Sequence, residues 1–415
     1  MNTISSNRQT GAVSLFVVVF FMLLATVVTI SFTRLMIADQ RQSSDNDLSQ
    51  SAYDSAQAGV EDAKRALLQY KSACLFTTST NCTQYSGRIS SDVCNSALAG
   101  VAGTGLPSGS GDSYNEVMIQ QTNGGTTADG ALNQAYTCVT IDLSTDDYVG
   151  TIQANQSQLV PLKSDGAFNR VKVEWFNKED ISSTSTNSSL SLDRVSSSGQ
   201  PLYSQDQWPL NRPSLLRTQL IQVAQSGFTL PNFDAVSGAQ SNGAAMFLYP
   251  TNLSSTNEMN MTDYDQRKTD PADDPNPKDP LLTPTAVSCK PNLGDGGYAC
   301  SSVLVLPQAI GASDDANRTA FMRLTSLYNA THYRVTLWNT PVTDSATPTK
   351  FKDVQPMVDS TGRANDLFRR VQSRVDLFDT TFPYPEAAVD LTGNFCKDFA
   401  VTTDQYIAGS SACNP

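Results

Sequence analysis

The sequence predicts an α+β protein: a long N-terminal helix, transmembrane and then amphipathic, packed on a mostly antiparallel β-sheet outer domain with long polar loops. Three observations predict it. Residues 12–33 form a run of 22 residues without a charge, proline or glycine. From Leu48 to Leu67 apolar and small residues recur at helical spacing. Beyond Tyr70 the period changes to two, with short alternating runs separated by polar stretches.

The apolar run, AVSLFVVVFFMLLATVVTISFT from Ala12 to Thr33, follows a short polar leader (residues 1–11) that ends in Gly11. At about 1.5 Å per residue it is long enough to cross a hydrocarbon core of about 30 Å. It exceeds the apolar stretch of a secretory signal, and no small-residue cleavage site follows it. Residues 34–70 continue the helix. Leu48, Ala52, Ala56, Val60, Ala63 and Leu67 keep one face, and Ala58 and Gly59 widen it into a strip of small residues that lets another backbone come close. The two parts together predict a helix about 85 Å long. The polar patch QRQSSDND, Gln40 to Asp47, is the one place where it could break.

Residues 71–415 read as a β-rich domain. In RVKVEWF, Val171, Val173 and Trp175 oppose Arg170, Lys172 and Glu174. HYRVTLW places Tyr333, Val335 and Leu337 on one face, and FRRVQSRVDLF does the same with Val371, Val375 and Leu377. Runs starting at Leu215, Ala244, Ser301 and Ala320 are further strands. One-sided alternation implies an antiparallel sheet with one wet face, the other packing on the helix strip. Long loops are expected near 178–214 and 251–288.

The chain carries a net charge of −12, which excludes nucleic acid as a partner, since phosphate contact needs a basic face. All eight cysteines follow the apolar run: Cys74, Cys82, Cys94, Cys138, Cys289, Cys300, Cys396 and Cys413. No CxxC spacing occurs and there is one histidine, so disulfides are favoured over zinc. Sequence neighbours suggest the pairs Cys74–Cys82, Cys94–Cys138, Cys289–Cys300 and Cys396–Cys413. Flanking charges leave orientation nearly undetermined. The cysteines set it: N-terminus cytoplasmic, outer domain extracytoplasmic.

Chemistry is sparse. His332, the single histidine, leaves little room for Ser-His, Cys-His or histidine–metal catalysis. No phosphate-binding glycine loop and no HExxH is present, and nothing calls for a cofactor. The run TDYDQRKTDPADDPNPKDP offers Asp263, Asp265, Asp270, Asp273 and Asp274 as hard oxygen donors for calcium, although the spacing is not that of an EF-hand. Trp175, Trp208 and Trp338 are candidate adhesive aromatics or core residues. Asn187, Asn252, Asn260 and Asn329 begin Asn-x-Ser/Thr sequons.

The glycine-ended leader, the immediate apolar helix and the segment AQAGVEDA (Ala56 to Ala63) resemble class III prepilins, most closely PilX-type minor pilins of type IV pili and minor pseudopilins of type II secretion. The resemblance covers about the first 70 residues. It implies cleavage by a prepilin peptidase between Gly11 and Ala12, methylation of the new N-terminus, and assembly with other pilin-like subunits. In that family the fifth mature residue is usually a glutamate that pairs with a neighbour's amine; here it is Phe16. The tip pseudopilin of type II systems also lacks it. VDSTGRANDLFRRVQSRVDL, from Val358, resembles the STG turn and arginine-bearing strand of pilin-like sheets. The resemblance implies a structural, non-catalytic subunit that primes, caps or decorates a filament. The alternative is a permanently anchored extracellular binding or adhesion protein that never polymerises.

Overall fold

A computed structural model describes residues 11–75, 81–99, 116–119, 134–181, 189–192, 208–224, 242–252, 258–266, 284–294, 296–311, 318–343 and 345–378. The fold is α+β, one long N-terminal helix with mostly antiparallel sheets. It divides into two compact units, one of Met1–Thr140 and Val358–Ser373, the other of Ile141–Met357 and Arg374–Pro415.

The first unit is built on α1, Gly11–Tyr70, a helix of 60 residues and so about 90 Å long. It is the continuous helix that the sequence predicts, and it runs without interruption through the polar patch Gln40–Asp47. Ser, Asp and Asn each cost roughly 0.5–0.7 kcal/mol relative to Ala in a helix. They lack the proline or glycine needed to stop one, and propagation from both sides carries the helix across. A π turn (Lys71–Leu75), a second helix α2 (Asn81–Ile89) and a 3₁₀ turn (Ser96–Leu98) follow. The region after Tyr70 therefore opens with helical turns rather than strands. Cys74–Cys82 ties the end of α1 to α2, and Cys94–Cys138 ties the second turn to a strand.

The sheet of this unit has the order β1-β2-β13-β14, with β1 Val117–Met118, β2 Gln134–Thr145, β13 Phe351–Ala364 and β14 Leu367–Arg374. β2 and β13 also extend into the second unit. Ser360, Thr361 and Gly362 lie inside β13 and make no turn. The turn is at Asn365–Asp366, where Asn365 adopts a left-handed φ of 51°, a conformation asparagine tolerates better than most residues. Glycine is required at 362 for another reason. A Cβ there would collide with the Ala52 carbonyl oxygen and the Ala56 nitrogen of α1. At Gly59 a Cβ would run into Ser360 and sit 2.8 Å from Val139. β14 is an exposed edge: Phe368, Arg369 and Arg370 face solvent, and of the face predicted by alternation Val371 and Val375 are half-buried while Leu377, beyond the strand, is buried.

The second unit consists of two five-stranded sheets sharing one core, not a single sheet. The first has the order β3-β12-β5-β10-β8: β3 Tyr148–Ile152, β12 Thr331–Trp338, β5 Phe168–Asn177, β10 Tyr298–Ile310 and β8 Glu258–Asn260. The second has the order β4-β11-β6-β7-β9: β4 Gln156–Pro161, β11 Arg318–Leu327, β6 Leu215–Ala224, β7 Gly243–Thr251 and β9 Thr285–Ser288. Val171, Val173, Trp175, Tyr333, Val335 and Leu337 of one sheet join Leu216, Leu220, Met246, Leu248, Met322 and Leu324 of the other in that core. Gln222 of β6 clips the sheets together, accepting from the Gln308 N–H (3.1 Å) and donating to its carbonyl (2.8 Å).

The expected loops are partly structured. The first contains a 3₁₀ turn, Lys178–Asp180, and the fully buried Arg212. The second contains β8, paired parallel with β10, and β9, paired parallel with β7. Strands of three and four residues are too short to show periodicity. Cys289–Cys300 joins the end of β9 to β10.

Gly362→Ala is expected to weaken the docking of α1 by about 2 kcal/mol or more, because backbone lies on both sides of the new methyl. Gly87→Ala, where a Cβ meets nothing within 4 Å, is expected to stabilise α2 by up to about 1 kcal/mol. Urea unfolding followed by limited proteolysis of the helix compares the two; equal effects refute the close-approach reading.

Candidate anchoring and docking helix

Physical chemistry divides α1 into two halves. Leu15 to Asp47 are exposed all round, although Leu15–Ile37 is largely apolar. Phe16 is 77% exposed. Gly11 and Ala12 lie in the first turn of the helix. This is the one helix among the described residues long and apolar enough to cross a membrane. Its hydroxyl groups are satisfied within the helix itself. Thr26 donates to the Leu23 carbonyl (2.8 Å), Ser31 to Val27 (2.8 Å) and Thr33 to Thr29 (2.8 Å). Thr29 donates to Ala25. Four side chains that would be costly in hydrocarbon are thereby spent on backbone acceptors.

The C-terminal half is docked. Of the predicted packing face, Ala52, Ala56, Gly59, Val60, Ala63 and Leu67 are buried and Leu48 is half-buried. Ser55, Ala66 and Tyr70 are buried as well, so the contact is wider than the six spaced positions suggested. Flanking small residues are the signal that marks them. The strip is filled by this chain's own strands. Ser360 Oγ donates to the Ala56 carbonyl at 2.7 Å, a cross-link from β13 into the helix backbone. The Tyr136 hydroxyl on β2 donates to Asp62 Oδ2 (2.8 Å), whose other oxygen accepts from Arg65 (3.1 Å). Arg369 donates to Ser49 Oγ from Nε (2.9 Å) and Nη2 (2.6 Å) and marks where docking begins. Arg370 and Gln372 grip Asp359, holding its carboxyl below the usual range.

Burial, reinforced by the hydrogen bond to Asp62, pushes the Tyr136 phenol well above its ordinary value near 10.

Elsewhere, the predicted side chains serve structure. His332 Nδ1 lies 2.6 Å from Asp180 Oδ1, and Asp180 also accepts from the His332 and Asn177 backbone N–H groups, so the histidine closes a corner between β5 and β12. Trp175, Trp208 and Trp338 are all buried and offer no adhesive surface. Trp208 stacks on Tyr328 with centroids 4.4 Å apart, and Arg212 lies over the Trp208 and Tyr249 rings at 5.0 and 5.1 Å. Asn329 donates its amide to the Pro209 and Arg212 carbonyls, which locks the nitrogen a glycan would need. Asn260 donates to Asp263, Asn252 is exposed, and Asn187 lies outside the described residues.

Two of the five calcium candidates, Asp263 and Asp265, lie among the described residues. Asp265 is buried and accepts from the Ala245 N–H (3.1 Å), whereas Asp263 accepts from Asn260. Asp270, Asp273 and Asp274 lie outside the described residues, as do Cys396 and Cys413. Among the described residues no group of three His, Cys, Asp or Glu side chains converges on a metal position.

No protein-family model, curated protein or solved structure matches this chain.

Tyr136 carries a pH test. With its folded value raised, the stability it contributes is full below about pH 10, where the unfolded phenol titrates, and is lost as the pH rises beyond it. Tyr136→Phe is expected to cost about 1 kcal/mol at pH 8 through the lost hydrogen bond. The deficit should narrow by about 1 kcal/mol at pH 10.5. Chemical denaturation at both pH values reads it, and an unchanged deficit refutes the assignment.

Proposed function

We propose that this chain is a minor pilin-like or pseudopilin-like structural subunit, anchored in the cytoplasmic membrane by one N-terminal helix that later enters a helical bundle. The observation that carries the reading is the division of α1: a continuous helix with one half apolar and exposed throughout, and the other clasped by small residues against an antiparallel sheet. An apolar cylinder of this length suits lipid first and neighbouring helices afterwards. Three disulfides among the described residues support an extracytoplasmic position for everything beyond the helix. The leader ending at Gly11 supports processing by a prepilin peptidase, with other pilin-like subunits as the partners of the freed helix. On this reading the subunit primes, caps or decorates the filament and catalyses nothing.

Phe16 favours a specialised position over a place in the repeating shaft. An exposed phenyl ring stands where a carboxylate would pair with a neighbour's amine. The same ring favours a second reading, a permanently anchored binding protein that does not polymerise.

N-terminal sequencing and intact mass of native protein, taken separately from membranes and from sheared surface material, discriminate the two. A methylated Ala12 start with material in the sheared fraction is expected. A Met1 start confined to membranes establishes the anchored alternative. Gly11→Ala is expected to abolish the mass shift and leave the full-length chain in the membrane; unchanged processing overturns the prepilin reading.

A further inference from the structure

Between the two halves of α1 lies a stretch that neither environment supports. Gln40 to Asp47 are helical and Arg41 to Asp47 are exposed. The apolar run ends at Thr33, and the first tertiary hydrogen bonds to α1 come from Arg369 to Ser49. Ser43, Ser44, Asp45, Asn46 and Asp47 are five consecutive residues whose side chains compete for backbone hydrogen bonds and so weaken a helix. Arg41 and Asp45 are four apart in the less favourable order, base before acid. By contrast, Ala52 to Leu67 are held by the sheet, and Leu15 to Thr33 are uncharged and apolar, suited to a bilayer in which a backbone must satisfy its own hydrogen bonds.

We infer that Gln40–Asp47 is a hinge: a helical segment that opens locally while the helix on either side stays ordered. The inference rests on reading Ala12–Thr33 as the membrane segment. A hinge here separates the tilt of the anchor from the orientation of the docked sheet. The anchor can then change surroundings, from lipid to helical neighbours, without prising α1 off β13. Local opening is governed by how little a segment packs, and this polar one is exposed throughout.

Hydrogen exchange by mass spectrometry on the full-length protein in detergent micelles tests it. Peptides covering Gln40–Asp47 should exchange at least about tenfold faster than those from Ala52–Leu67 and from Leu23–Thr33. Protection of 40–47 equal to that of 52–67 overturns the hinge. The triple variant Ser43→Ala, Ser44→Ala, Asn46→Ala should slow exchange in this segment at least about threefold and leave 52–67 unchanged; no slowing overturns it too. Fast exchange through Leu23–Thr33 as well overturns the hinge together with the anchoring reading, because a hinge needs two ordered flanks. The measurement involves neither processing nor filaments, so failure of the pilin-like reading leaves its outcome unaffected.

Discussion

A glycine pressed against a helix backbone sets the geometry of the helix-bearing unit. Gly362 lets β13 come so close to α1 that even a methyl group would strike the Ala52 carbonyl and the Ala56 nitrogen. Ser360, two residues earlier on the same face of the strand, uses that proximity to donate to the Ala56 carbonyl. Gly59 returns the relation from the helix side, receiving Tyr136 and Val139 of β2. A helix–sheet contact of ordinary side chains would hold the elements further apart and leave Ser360 without this acceptor. The small residues of α1 are thus the condition for a short, directional clasp, and the clasp is what leaves the apolar half of the helix to extend from a fixed base.

Much of this was legible in the sequence. The apolar run has the length and purity of one unbroken helical segment, and the spacing of Ala52, Ala56, Val60, Ala63 and Leu67 marks the docked face directly. The strands RVKVEWF and HYRVTLW bury the residues that alternation assigned to the interior. Three cysteine pairs join neighbours in sequence. Other features were not legible, for reasons that differ. STG was read as a turn because glycine is the usual turn residue, but the close approach that demands Gly362 is a tertiary fact. FRRVQSRVDLF alternates like a core strand, yet residues 368–374 lie in the edge strand β14, and of Val371, Val375 and Leu377 only Leu377, past the end of the strand, is buried. Alternation reports which residues share a face and says nothing about how many sheets those faces build, so the two-sheet arrangement was hidden.

The described candidate chemistry of the outer region resolves into architecture. His332 braces a corner with Asp180. Arg212 is enclosed by two aromatic rings and donates to backbone carbonyls of Ser191 and Pro250 as well as to the Tyr249 hydroxyl. Asp265 holds the N–H of Ala245. Buried polar groups of this kind are costly unless satisfied, and once satisfied they fix one arrangement of strands and loops.

One detail of the exposed half of α1 reaches further than its size suggests. Each hydroxyl that Thr26, Thr29, Ser31 and Thr33 bring into the apolar run is turned back onto its own helix. What the segment presents outward from Leu15 to Thr33 is therefore apolar: aliphatic groups and the rings of Phe16, Phe20, Phe21 and Phe32. Such a surface asks nothing directional of whatever surrounds it. Acyl chains and leucine side chains are nearly equivalent solvents for it, and no polar bond must be broken for one to replace the other. A segment with this surface would exchange one apolar surrounding for another at little cost.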